Sequence, residues 1–161
     1  PRPHPRSAPA GAVPPRPVRT PLAPTVPPAA PAPAAAGAAA FARYFYVQVN
    51  SAGTAPRAGL ISELSSPGCT SCAGLEATAN ELMQKKQHYD GSPVTIVSVG
   101  GLADNSAGQP QILVTFIQEH RNVLDASGHV ALTDQRKKGK FVATLSWSNQ
   151  RCAVAAVKSL A

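Results

Sequence analysis

The sequence predicts an α+β domain preceded by a Pro/Ala-rich tether, and three observations predict it. Thirteen of the 17 prolines fall within residues 1–33. Apolar residues then recur at helical spacing as far as residue 87. From residue 94 onward the spacing changes to two, the period of half-buried strands. Helices first and antiparallel strands afterwards give helices packed on one face of a sheet.

Residues 1–40 are almost entirely Pro, Ala, Arg, Val and Thr. They lack apolar periodicity and large apolar side chains, so burial cannot offset the entropy of ordering them. At about 3.1 Å per residue in polyproline form, such a segment reaches on the order of 100 Å. Residues 41–161 are long enough for one domain with one core.

Within that domain, Phe41, Tyr44, Phe45 and Val49 mark one face of a first helix, with Gly53 as its stop. "APRAGLISEL" (55–64) reads as a short second helix, with Pro56 early and Leu60, Ile61 and Leu64 on one side. "SSPG" breaks the chain. A third helix follows over 69–87, with Cys72, Leu75, Ala79, Leu82 and Met83 on one face. Lys85, Lys86 and His88 suit its negative C-terminal end.

"VTIVSV" (94–99) is a β-branched strand. "QILVTFIQEHRNVL" (111–124) reads as one long strand, with Ile112, Val114 and Phe116 on one face and Leu113 and Ile117 on the other. "DASG" (125–128) is a turn, and "HVALT" pairs back. In "KFVATLSWS", Phe141, Ala143, Leu145 and Trp147 point one way. "RCAVAAVKS" is the last strand, where Cys152, Val154 and Ala156 share a face.

Charge narrows the function classes. The formal net charge is +7. Arg2, Arg6, Arg16 and Arg19 supply +4 of it with no acidic offset, leaving +3 for the remainder. Four dilute arginines suit a solvated spacer. The one basic cluster, "RKKGK" (Arg136, Lys137, Lys138, Lys140), reads as a loop able to meet anionic lipid or polymer. Specific nucleic-acid recognition would need aromatic interleaving or a known module, and the sequence has neither. The phosphate-loop, dinucleotide, zinc-protease and serine-hydrolase motifs are absent.

"FARYFYVQVNSAGTAPRAGLISELSSPGCTSCAG" resembles the opening of a family of actinobacterial lipoproteins of unknown function. The match is close over "LSSPGCTSC" (64–72) and extends in outline over 41–161. The resemblance implies the cone-shaped fold of nuclear transport factor two and ketosteroid isomerase: three helices on a curved antiparallel sheet. It also implies an extracytoplasmic location, lipid-anchored or secreted, with the lipidated cysteine upstream of Pro1. Cys152 departs from the family pattern.

In an oxidising envelope, Cys69 and Cys72 are expected to form a disulfide, leaving Cys152 as a small buried hydrophobe. Two other readings stay open: a redox pair with Cys69 as attacking thiol, and a metal site, for which compact further ligands are lacking. No metal or other cofactor is expected. The cone shape implies a pocket, and Phe41, Tyr44, Phe45, Phe116, His120 and Trp147 are its expected lining.

The expected function is therefore non-catalytic: an envelope domain, monomer or homodimer, that binds a small apolar ligand or docks an envelope protein. The alternative is a pocket enzyme of ketosteroid isomerase shape. It would need His120 or an Asp deep in the pocket, paired with Tyr44 or Tyr46.

Overall fold

The computed structural model describes residues 35–102, 109–148 and 151–160. The expected tether therefore lies outside the described residues as far as residue 34. Helix α1 spans Ala35–Thr54 and α2 spans Thr70–Gln84. Among the described residues seven strands follow: β1 (His88–Tyr89), β2 (Val94–Gly101), β3 (Gln111–Gln118), β4 (Arg121–Leu124), β5 (Val130–Asp134), β6 (Lys137–Ser148) and β7 (Arg151–Leu160).

Helix α1 begins six residues before the expected Phe41, through an alanine run with high helix propensity. Its buried face carries Ala38, Phe41, Ala42, Phe45, Tyr46, Val49 and Ala52. Tyr46 is buried and Tyr44 only half-buried, so the stripe is rotated relative to the expected one. Gly53 is not a cap: a Cβ there would sit 3.1 Å from Tyr89 and 3.2 Å from Pro93, so the glycine lets the helix approach the sheet.

Asn50 fixes that approach, its Nδ2 donating to the Val94 carbonyl at 2.8 Å and its Oδ1 accepting from the Val94 N–H at 3.0 Å. The helix side chain thus takes the place of a neighbouring strand at the start of β2.

The expected second helix is corrected to a single 3₁₀ turn over Ser62–Leu64. Two causes act together. Gly59 has φ +90°, which interrupts a right-handed helix. The Glu76 carboxylate also accepts from the N–H groups of Gly59, Ile61 and Ser62 at 2.5, 3.0 and 3.1 Å. A side chain seventeen residues away in sequence from Gly59 thus takes donors that a longer helix would use.

Helix α2 ends three residues short of the expected 87. The Lys86 N–H donates to Met83 and the Gln87 N–H to Leu82, with Lys86 at φ 53°. This is a Schellman ending with lysine in the left-handed position that glycine usually fills. Met83, expected on the apolar face, is exposed.

The expected long strand 111–124 is corrected to two. Glu119 donates its N–H to the Pro93 carbonyl, and the chain leaves one sheet for another there. Strands β2-β3-β6-β7 form one antiparallel sheet and β1-β4-β5 a second. The Asp125–Gly128 turn stands as expected. Asp125 Oδ1 accepts from the Ser127 and His129 N–H groups, and Gly128 takes φ +82°. These bonds hold the Asp125 carboxyl below its ordinary range, with the nearby His129 charge a lesser cause.

Both helices pack on the same face of the four-stranded sheet, α1 against β2 and α2 against β7. Phe45, Ile61, Ile112, Val114, Leu145 and Val154 are fully enclosed between them. Tyr46, Phe116 and Phe141 extend this core as neighbouring rings. The register of β7 shifts between Thr144 and Leu145 of its partner, leaving Ala155 unpaired. Past that bulge Val157, not Ala156, joins Val154 on the core side, which corrects the expected alternation.

Candidate functional site

The cystine comes first because its chemistry depends on access. Cys69 and Cys72 form a disulfide with Cα atoms 5.2 Å apart. Cys69 caps α2, its sulfur accepting from the Cys72 N–H at 3.3 Å. Their neighbours hold this corner against the sheet. Ser66 N–H donates to the Val154 carbonyl, and Ser71 Oγ to the Val157 carbonyl. Both cysteines are buried, 2 % and 1 % exposed.

The third cysteine, Cys152, is a half-buried free thiol opposite Trp147 on β6. Burial pushes its pKa up to about 11. A thiol held protonated at neutral pH is a weak nucleophile. Among the described residues, no group of three or more His, Cys, Asp or Glu side chains could hold a metal ion.

A cleft of about 200 Å³ lies between the C-terminal half of α1, the middle of α2 and the second sheet. Its walls are Val49, Ala52 and Gly53 of α1, then Leu75, Thr78, Ala79 and Leu82 of α2. Ile61, Tyr89, Pro93 and Val94 complete the apolar lining, with Gln118 and Asp134 at the polar side. Tyr89 Oη donates to Asp134 Oδ2 at 2.8 Å. Burial first, and then the bond to Asp134 and its negative charge, push the Tyr89 hydroxyl up to about 12. The hydroxyl is therefore a neutral donor already committed to the carboxylate.

None of the six expected lining residues borders this cleft. Phe41 and Phe45 are inside the core, and Tyr44 is half-buried on α1. Phe116 lies over Gly139, where an added Cβ would come within 2.6 Å of its ring. Trp147 stands beside Cys152, and His120 is exposed in the link between β3 and β4. The cleft went unread because strand β1 is only two residues long and carries no periodic signal. Two broader surface grooves, of about 580 and 430 Å³, run beside the ends of α1 and α2 and along the cystine face of α2.

The basic cluster is part of strand β6, not a loop, and the strand sorts it. Arg136, just before it, lies 3.5 Å from Glu119. Lys137 pairs with Gln118, which borders the cleft. Lys138 and Lys140 point to the opposite face, the one away from the helices. Lys158 of β7, paired with Val142, joins them there. Sequence spacing alone had no means of linking residue 158 to 138. No described helix or strand forms a layer over that face.

No protein-family model matches the chain, and no curated protein matches it. Among solved structures, it is similar to the intermembrane space region of the chloroplast protein ARC6. That alignment has a TM-score of 0.59 and 16 % identity, and covers 81 % of this chain and 99 % of the other. A calcium/calmodulin dependent protein kinase II association domain from Xanthomonas campestris aligns with a TM-score of 0.41 and 11 % identity, over 76 % of this chain and 83 % of that one. What the chain shares with the ARC6 region is the fold alone: α+β of the nuclear transport factor two-like kind, with two α-helices followed by antiparallel sheets among the described residues.

Proposed function

We propose that this chain is a non-catalytic docking domain of the cell envelope, held out from the membrane on its Pro/Ala-rich segment through an upstream lipid anchor. The observation that carries the reading is the four-stranded sheet, which among the described residues is covered by helices on one face and open on the other. Half-buried Leu113, Thr115, Ile117 and Val142 lie across the open face. The cleft adds support: about 200 Å³ is below the roughly 300–1,000 Å³ of small-molecule pockets. The buried cystine supports a structural role over thiol exchange.

A photo-crosslinking side chain at Thr115 tests this in producing cells, with Ala77 on the outer side of α2 as control. A discrete protein adduct from position 115 and none from position 77 is the expected result. No protein adduct from position 115 refutes docking at this face. The apolar lining of the cleft favours a second reading, a small apolar ligand. Native mass spectrometry of the purified chain checks it, since such a ligand would appear as a stoichiometric mass shift.

A further inference from the structure

The open face has a charge character as well as a shape. None of the four strands contains an acidic residue, whereas β6 and β7 carry Lys137, Lys138, Lys140, Arg151 and Lys158. Three of these amines form a group on the open face. Lys138 and Lys140 are two residues apart on one strand, about 7 Å along it. Lys158 is two residues from Leu160, the partner of Lys140, so its Cα lies diagonally at about 7–8 Å. None of the three makes an ion pair with a described residue. Beside them run the half-buried side chains of Leu113, Ile117 and Val142.

We propose that this face docks an extended acidic polypeptide segment whose same-side positions, every second residue, carry carboxylates that face the three lysines and apolar side chains that rest on the aliphatic row. The proposal rests on the docking reading above and adds the partner's chemistry. An extended strand repeats its same-side groups every ~7 Å, matching the lysine spacing. The aliphatic row favours a polypeptide over a phosphate polymer or lipid headgroups, which bring no apolar groups to a flat surface. A second copy is disfavoured by charge. Its own open face is equally basic, and its described acids are mostly engaged. Glu76 holds backbone, Glu81 pairs with Lys85, Glu119 with Arg136, Asp125 closes its turn and Asp134 holds Tyr89.

The test uses the full chain and a labelled peptide with Glu and Val at its same-side positions and Ser between them, followed by fluorescence polarisation. Its counterpart has Lys in place of each Glu. The parent chain should bind the Glu peptide and not the Lys peptide, more weakly as salt rises. Each of Lys138→Gln, Lys140→Gln and Lys158→Gln should weaken it about two- to fivefold. Arg43→Gln with Arg57→Gln, an exposed pair off this face, should change it by less than about twofold. Changing all three lysines to Glu should transfer binding to the Lys peptide, and circular dichroism should show those variants folded.

Failure to bind the Glu peptide, or equal loss in the arginine control, overturns the proposal. So does lysine-dependent capture by vesicles of phosphatidylcholine with phosphatidylglycerol in place of the peptide, which would assign the face to a membrane. Self-association abolished by the lysine changes would assign it to a second copy. If Thr115 still crosslinks a protein while the lysine variants crosslink it equally, docking stands and the acidic partner falls.

Discussion

Replacing Glu76 tests whether a single side chain sets the path between the helices. Its carboxylate holds three N–H groups, those of Gly59, Ile61 and Ser62. Hydrogen bonds to a charged acceptor contribute about 1.5–3 kcal/mol each when shielded. Ser62 is exposed and Gly59 half-exposed, so water replaces much of their loss. Ile61 is fully enclosed, and its stranded N–H carries a penalty of about 1–3 kcal/mol. Glu76→Ala should therefore destabilise by about 3 kcal/mol in sum.

Glu76→Gln keeps one oxygen for Ile61 and Ser62 and turns its amide NH2, a donor, toward the Gly59 N–H, so about 1 kcal/mol is expected. Urea unfolding of the full chain, followed through the sole tryptophan, Trp147, is the assay. At a slope of about 1.5 kcal/mol/M the midpoint should fall by about 2 M for Ala and about 0.7 M for Gln. An Ala variant unfolding at the parent's midpoint, or a Gln variant as unstable as Ala, would refute the reasoning.

Four further outcomes follow from other features. Lys86→Gly should raise stability by about 0.5–1 kcal/mol, because lysine at φ 53° carries a left-handed penalty that exceeds glycine's extra unfolded-state freedom; the urea midpoint reads it. Gly139→Ala should destabilise by about 1 kcal/mol or more, since its Cβ would press into the Phe116 ring, and the change should fade in Phe116→Leu. Opening the four-residue cystine loop with Cys69→Ser and Cys72→Ser should remove about 2 kcal/mol, seen as a lower melting temperature. Tyr89 ionises near 10 when unfolded and near 12 when folded. Its raised pKa makes its contribution full below pH 10 and lost as the pH rises from 10 to 12. Tyr89→Phe should flatten that part of the stability–pH curve, measured by urea midpoints from pH 8 to 12.

The sequence by itself determined the features that repeat locally. The periodicity of Phe41, Phe45 and Val49 is enough to place α1, because one helical face needs no partner to define its spacing. The alternation in 141–147 is likewise a property of one strand, and Asp125 with Gly128 writes its turn into four residues. The cysteine pair is legible as a pair for the same reason, since a separation of three keeps it within one turn, but that spacing suits a redox or metal site equally, and the bond is a finding of the structure.

Tertiary structure decided the features that depend on distant residues. Leu60, Ile61 and Leu64 have helical spacing, yet Glu76 took their segment's N–H groups and left a 3₁₀ turn. The run 111–124 reads as one strand, and its division between two sheets shows only in the pairing of β3 with β6 and of β4 with β5. Aromatic residues pointed to a pocket because they are large and apolar, but that made them core. The cleft is bounded by Gly53 and Ala79 of the two helices and by Tyr89 and Asp134 of the second sheet, residues that only the tertiary structure brings together. Lys158 belongs with Lys138 and Lys140 only through the pairing of β6 with β7, a register set by packing over the whole sheet rather than by any stretch of the chain.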